Sequence, residues 1–204
     1  REKAVVSPVA EDGGGIVVDL ESGSVTSHFD GVEIPLFCGE DLQLRGGFNL
    51  INAATAAAAA AGMGIRPAEI LAAIRSFAGV EHRLQSLGKF EEVEYFNDSK
   101  ATTQESTIAA LEDLGPNVIL ICGGSSKGCG FGELAEVAAR KTRHVVLIGE
   151  TASEIETALR TLGERSPATT HAADLEAAVE EAARLAKPGD CVLLSPACPS
   201  YDQL

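Results

Sequence analysis

The sequence predicts an α/β protein whose larger part is an open, Rossmann-like, mostly parallel sheet flanked by helices. Two observations lead there. The segments 118–122, 145–148 and 191–194 are short, continuous apolar runs, the pattern of parallel strands buried on both faces. Helical patterns separate these runs, and alternation of strand and helix is the signature of an open α/β sheet. The first 79 residues lack this alternation, so the chain is expected to divide into residues 1–79 and 80–204.

Taken in order, residues 1–44 carry no helical period. Gly13-Gly14-Gly15 is a turn signal. Ile16-Val17-Val18 and residues 25–29 flank Ser22-Gly23, which predicts a β-hairpin. Asp30-Gly31 precedes a further apolar run at 32–37. Gly46-Gly47 opens a stretch of strong helix formers from Asn49 to Ala61, and Gly62 and Gly64 stop it. Pro67 suits the first turn of a second helix that runs to about Phe77, with Ile70, Leu71, Ile74 and Phe77 at helical spacing. Residues 84–96 predict a pair of strands around Gly88. Beyond them the spacing predicts helices at 104–114, 131–141, 151–162 and 174–187, and strands at 117–122, 144–149, 168–172 and 191–195.

Composition limits the function. A formal net charge of −14 repels polyanions, so nucleic-acid binding is not expected, although a few local cations can still hold a small anion. No signal peptide or long apolar span is found, and the 53–61 run is too short to cross a bilayer, so membrane insertion is not expected. Five cysteines, an odd number without a C-x-x-C pair, fit reduced thiols in a cytoplasmic protein.

In open α/β sheets ligands bind beyond the carboxyl ends of the strands. The loops expected there hold the polar motifs. Asn97-Asp98-Ser99-Lys100-Ala101-Thr102 places an acid, a lysine and two hydroxyls between a strand and a helix. It suits either an anion site or a helix cap with a solvated lysine, and residue types do not choose between them. Gly123-Gly124-Ser125-Ser126-Lys127-Gly128 is an anion cradle or a plain flexible loop, and it is no Walker A sequence. The same stretch matches G-x-S-x-G, which keeps an α/β hydrolase with a Ser126 nucleophile as an alternative; a non-catalytic nucleotide-binding module is another. Asn49 and Asn52 share one helix face and have the amides to read a base edge; capping is the alternative for Asn49 and accounts less well for Asn52, inside the first turn. Arg83, after His82, is either a phosphate clamp or a linker charge.

In this order the motifs resemble the Mur ligases. The family pattern G-R-H-N-x-x-N-x-x-A-A is matched by Gly46-Gly47-Phe48-Asn49-Leu50-Ile51-Asn52-Ala53-Ala54. Its H-R motif is His82-Arg83. Asn97 to Thr102 is similar to the signature of the D-glutamate-adding member, where relatives show D-Y-A-H. Gly123-Gly124 with Lys127, and Leu194-Ser195-Pro196-Ala197-Cys198 with Ser200, complete the match. The resemblance implies that residues 1–79, a hairpin and helical remnant, end a central P-loop-type ATPase domain, and that 80–204 form the domain binding the incoming amino acid. It implies ATP-dependent ligation of D-glutamate to UDP-N-acetylmuramoyl-L-alanine, with ATP and magnesium, in a cytoplasmic monomer. Asn49 and Asn52 would contact adenine, Arg83 the phosphates and Asp98 the ribose. Lys100, Thr102, Lys127, Ser200 and Tyr201 would hold D-glutamate, with Lys100 and Lys127 neutralising charge in the reaction. The phosphate loop and magnesium ligands have no counterpart in the sequence, so the isolated chain is expected to be inactive. Phe48, Thr103 and Tyr201 depart from the usual His, Asn and Leu.

Overall fold

Alternation and helical spacing settle most of the secondary structure, and tertiary packing settles the rest. The computed structural model of the chain describes residues 3–6, 15–29, 32–126, 128 and 130–199. The turn signals at Gly13-Gly14 and Asp30-Gly31 lie outside them. By its contacts the chain divides into two units, Arg1–Gly79 and Val80–Leu204.

In the first unit β1 (Lys3–Val6), β2 (Gly15–Asp19), β3 (Ser24–Phe29) and β4 (Val32–Cys38) form an antiparallel sheet in chain order. The expected hairpin is β2–β3. The strand β1 was not expected, because four residues are too few to display an alternating pattern. Helices α1 (Gly47–Gly62) and α2 (Pro67–Ser76) pack on this sheet, with Ala54, Ala57 and Ala58 of α1 against Ile16, Val18 and Val25. Alanines let the helix lie close to the strands. A Schellman turn ends α1: Gly64 adopts φ 82, its N–H bonds the Ala61 carbonyl, and the Ile65 N–H bonds that of Ala60.

The second unit opens with a hairpin, β5 (Gln85–Phe90) and β6 (Val93–Asn97). The turn is at Glu91-Glu92, with φ 49 and 64, and not at Gly88. Gly88, at φ 105, instead marks a register shift inside β5, a bulge that only glycine forms without strain. There follow α3 (Gln104–Leu114), β7 (Val118–Cys122), α4 (Gly132–Lys141), β8 (Thr142–Leu147), α5 (Ala152–Arg160), β9 (Ala168–His171), α6 (Leu175–Leu185) and β10 (Cys191–Leu194). The sheet order is β5-β6-β10-β7-β8-β9, with β5 antiparallel and the other strands parallel.

The apolar runs are buried on both faces, as expected. Val118, Leu120 and Cys122 of β7 join a core with Leu111, Leu134, Ile155 and Leu159 from α3, α4 and α5. Ile119 and Ile121 join the opposite core with Ala178 and Ala182 of α6. Each such aliphatic side chain contributes about 1.5–3 kcal/mol, against at most about 1 kcal/mol for an exposed ion pair, so these two layers set the positions of the strand ends.

At the amino edge a partly buried ion pair ties β8 to the turn before β10. Asp190 Oδ2 accepts from Arg143 Nη2 at 2.6 Å and from the Lys187 N–H at 2.7 Å, while Arg143 Nε has no partner among the described residues. Asp190→Ala removes the acceptor of the Lys187 N–H and the charged partner of Arg143, whose Nη2 keeps only the Leu185 carbonyl, and is expected to cost about 2–3 kcal/mol in urea unfolding, with Asp190→Asn costing less.

Candidate functional site

The loop after β6 is a series of tight local bonds. Asn97 Oδ1 accepts the Ser99 N–H at 3.0 Å, the Asp98 carbonyl accepts the Ala101 N–H at 2.8 Å, and the Lys100 carbonyl accepts the Thr102 N–H at 2.9 Å. Ala101 is buried, and Lys100 and Thr102 on either side of it are exposed. Asp98 goes inward and is only 5% exposed. Its Oδ1 accepts the Leu84 N–H at 2.9 Å, and its Oδ2 accepts the Ser195 hydroxyl at 2.8 Å. Burial pushes the Asp98 carboxyl up from its ordinary value, opposed by those two bonds and by the Arg83 charge.

Arg83 stands in a strained turn. His82 and Leu84 on either side of it have φ 66 and 43, a conformation that costs about 1–3 kcal/mol per residue and persists only where the surroundings impose it. Here they do. The His82 carbonyl accepts the Lys100 N–H at 3.1 Å, its N–H bonds Gln85 Oε1 at 3.0 Å, its ring Nδ1 pairs with Asn97 Nδ2 at 3.0 Å, and the Leu84 N–H bonds Asp98. The exposed Arg83 is therefore held by a fixed backbone beside Asp98 rather than carried on a loose linker.

The loops after β7, β8 and β10 are bonded together. Gly123 donates to the Pro196 carbonyl at 2.8 Å, Ser125 to that of Pro199 at 2.8 Å, and Thr151 to that of Gly124 at 3.1 Å. The Thr151 hydroxyl accepts the Gly124 N–H at 3.0 Å. A Cβ at Gly123 would fall 2.0 Å from the Ile148 carbonyl oxygen, and one at Gly124 would fall 2.5 Å from that of Pro199. The first two residues of the glycine-rich loop are thus glycine because neighbouring backbone lies against them. Gln104, at the start of α3, donates to the Gly130 carbonyl at 2.9 Å and links the loop after β7 to the loop after β6.

Lys127, Ser200 and Tyr201 lie outside the described residues. Ser126 is exposed. Its N–H faces Glu150 at 3.4 Å and its hydroxyl Glu154 at 3.5 Å, and no histidine bonds it. His82, His144 and His171 pair with Asn97, Thr170 and Glu156. That arrangement does not form the serine–histidine pair of a hydrolase. In the first unit Asn49 is nearly buried, with Nδ2 donating to the Arg45 carbonyl at 2.7 Å, and Asn52 is exposed. Asn49 therefore braces the loop entering α1 and does not cap the helix.

Sequence reasoning passed over two members of the site. For Ser195 the sequence holds a signal, a polar residue directly after an apolar strand. Thr107, whose hydroxyl lies 2.8 Å from that of Ser195, gives no signal, because a threonine within a helix looks ordinary. An open cleft of about 610 Å³ beside Phe90, Val93, Tyr95 and Pro188 lies at the other end of the sheet, away from these residues. Among the described residues no three His, Cys, Asp or Glu side chains converge as metal ligands, and no helix is long and apolar enough to cross a membrane.

Residues 82–198 match the family model for the Mur ligase, glutamate ligase domain. The chain is 43% identical over 167 residues to a UDP-N-acetylmuramoylalanine--D-glutamate ligase of Ralstonia nicotianae, covering 82% of this chain and 33% of that protein. It is 38% identical over 183 residues to the protein of the same name from Pelotomaculum thermopropionicum, covering 90% and 40%. It thus spans about a third to two fifths of the length of these curated relatives. Among solved structures, a folylpolyglutamate synthase of Mycobacterium tuberculosis complexed with ADP superposes with a TM-score of 0.63 at 16% identity, covering 96% of this chain and 45% of that one. A UDP-N-acetylmuramate-alanine ligase of Thermotoga maritima does so with 0.61 at 17% identity, covering 86% and 40%. At these identities the superpositions establish a shared fold.

The packing at Gly123 yields a paired test. Gly123→Ala puts a methyl group into a backbone carbonyl at φ 116 and is expected to cost about 3 kcal/mol or more in chemical denaturation. Gly128→Ala, at φ 70 with open space around it, is expected to cost about 1 kcal/mol. Equal costs would contradict the packing account.

Proposed function

The chain belongs to the Mur ligase family, and from that membership we propose that it supplies the amino-acid-binding domain of an ATP-dependent ligase joining D-glutamate to UDP-N-acetylmuramoyl-L-alanine in peptidoglycan precursor synthesis. The observation that supports this most is the loop from Asn97 to Thr102. It stands at the carboxyl edge of the sheet with Lys100 and Thr102 exposed, in the chain whose named relatives are D-glutamate ligases. Its place of work is the cytoplasm, where ATP and nucleotide-linked sugars are made.

The reaction needs an activated carboxylate and a positioned amine. Phosphorylation of the alanyl carboxylate gives an acyl phosphate. The D-glutamate amine attacks its carbonyl carbon, the new C–N bond forms, the C–O bond to phosphate breaks, and the amine loses a proton. The described residues bind and orient. Asn49 and Asn52 are assigned to adenine. Arg83 is a fixed cation suited to phosphate oxygens. Asp98 is an acceptor with about two of its four lone-pair sites taken by protein donors, which leaves acceptor capacity for ribose hydroxyls. Lys100, Thr102, Lys127, Ser200 and Tyr201 are assigned to D-glutamate, whose two carboxylates explain the use of two lysines. Holding both partners in place is where such a domain lowers the barrier. No residue of this chain is assigned to magnesium.

Steady-state kinetics of the full-length ligase carrying this segment, with each substrate varied in turn, tests the assignments. Arg83→Ala is expected to lower kcat/KM for ATP tenfold to a hundredfold, about 1.5–3 kcal/mol, with little change for D-glutamate. An unchanged ATP dependence removes Arg83 from the site. Lys127→Ala is expected to raise the KM for D-glutamate, a loss of about 2–3 kcal/mol, and to leave that for ATP nearly alone, with Lys127→Arg rescuing only in part. If ATP KM rises instead, Lys127 is a phosphate ligand.

A further inference from the structure

Three polar side chains from three separate elements meet beneath the loops of the carboxyl edge. Asp98 follows β6, Ser195 follows β10 and Thr107 sits in the middle of α3, and both hydroxyl residues are 0% exposed. Ser195 Oγ lies 2.8 Å from Asp98 Oδ2 and 2.8 Å from Thr107 Oγ1. Each hydroxyl has a single proton and an ionised carboxylate has none. Ser195 therefore gives its proton to Asp98, and its oxygen must accept the proton of Thr107. The Thr107 hydroxyl also approaches the Ser195 carbonyl, at the longer distance of 3.4 Å. With Asp98 ionised, the direction of the relay is threonine to serine to carboxylate.

Helical threonines in this chain ordinarily return their hydroxyl to the carbonyl four residues back. Thr55 bonds Ile51 at 2.8 Å and Thr157 bonds Ser153 at 2.7 Å, both on exposed faces. Thr107 is buried and reaches across to β10 instead. Alanine and valine would fill the same two positions without the cost of desolvating hydroxyls, so the polar pair is worth keeping only for what it does to its acceptor.

We propose that Ser195 and Thr107 are positioning residues that hold the Asp98 carboxylate ionised and oriented for nucleotide ribose. The ribose half of this inference rests on the assignment of Asp98 made above. The surroundings of Asp98 agree with it. Burial disfavours its charge, Arg83 ahead of β5 is the charged side chain that acts on it, and Ser195 and Thr107 bring donors without charge from β10 and α3. Removing a donor to the charged form raises the pH at which that form appears.

The test uses the full-length ligase with Ser195→Ala, Thr107→Val and Asp98→Asn. Carboxyl ¹³C NMR of aspartate-labelled protein, with Asp98→Asn identifying the resonance, reads the titration of Asp98 directly. Ser195→Ala is expected to move that titration up by about 1–2 pH units, the equivalent of one hydrogen bond to a charged group. Thr107→Val, which keeps the shape and the serine, is expected to move it the same way by less. The acid limb of kcat/KM for ATP is expected to rise with it, so activity returns at higher pH, while KM for D-glutamate stays unchanged. A titration unmoved in both variants overturns the relay. A titration that moves while Asp98→Asn leaves ATP KM unaltered overturns the ribose assignment and leaves the relay standing.

Discussion

At Gly123 and Gly124 the main chain runs so close to the carbonyls of Ile148 and Pro199 that no side chain fits between them. The arrangement of the candidate site depends on that contact. It brings the loops after β7, β8 and β10 into one hydrogen-bonded layer, and through Ser195 and Asp98 that layer extends to the loop after β6. Backbone against backbone leaves little slack, because peptide groups have no rotamers to adjust. The exposed cations Arg83 and Lys100 therefore project from fixed turns, and their conformational freedom is confined to their own side chains. A ligand meeting such a layer loses less in ordering the protein than one meeting free loops.

The acidic balance of the chain and the anionic substrates proposed for it are compatible for a local reason. Exposed charges more than about 8–10 Å apart are screened at physiological ionic strength. Several carboxylates on helix faces are engaged in ion pairs there, as with Glu112 between Arg140 and Lys141, Glu136 with Arg165, and Glu181 with Arg184. Each surface pair contributes little to stability. At the carboxyl edge Arg83 and Lys100 act at short range.

How much was legible in the sequence depended on the range of the interaction responsible. The runs at β7, β8 and β10 could be read because burial on both faces leaves a continuous apolar signature, and α3 could be read to the residue because its periodicity is local. The strand β1 is too short to show a pattern. The β5–β6 turn was misplaced because Gly88 is the stronger turn signal, while the actual turn uses two glutamates at positive φ that the sheet holds there. The motif residues were identifiable by type, but their depth was not. Lys100 and Asp98 are two positions apart, one exposed and the other nearly buried, and only the partners from β10 and from Leu84 decide which. Gly123 shows the same limit, because a glycine needed for packing and one needed for an anion look alike in a string of letters.

The sheet order carries a consequence for how the protein is made. The strand β10 closes the gap between β6 and β7, yet it is made after both of them and after β8 and β9. Until residues 191–194 emerge, β6 and β7 each present an unpaired row of amides and carbonyls flanked by apolar side chains, the kind of edge that pairs with whatever strand it meets. The closing contacts span most of the second unit, and contacts of high sequence separation form slowly. Nascent chains of this unit therefore pass through an interval of exposure that a protein with its central strands adjacent in sequence avoids, and shielding by chaperones matters most then.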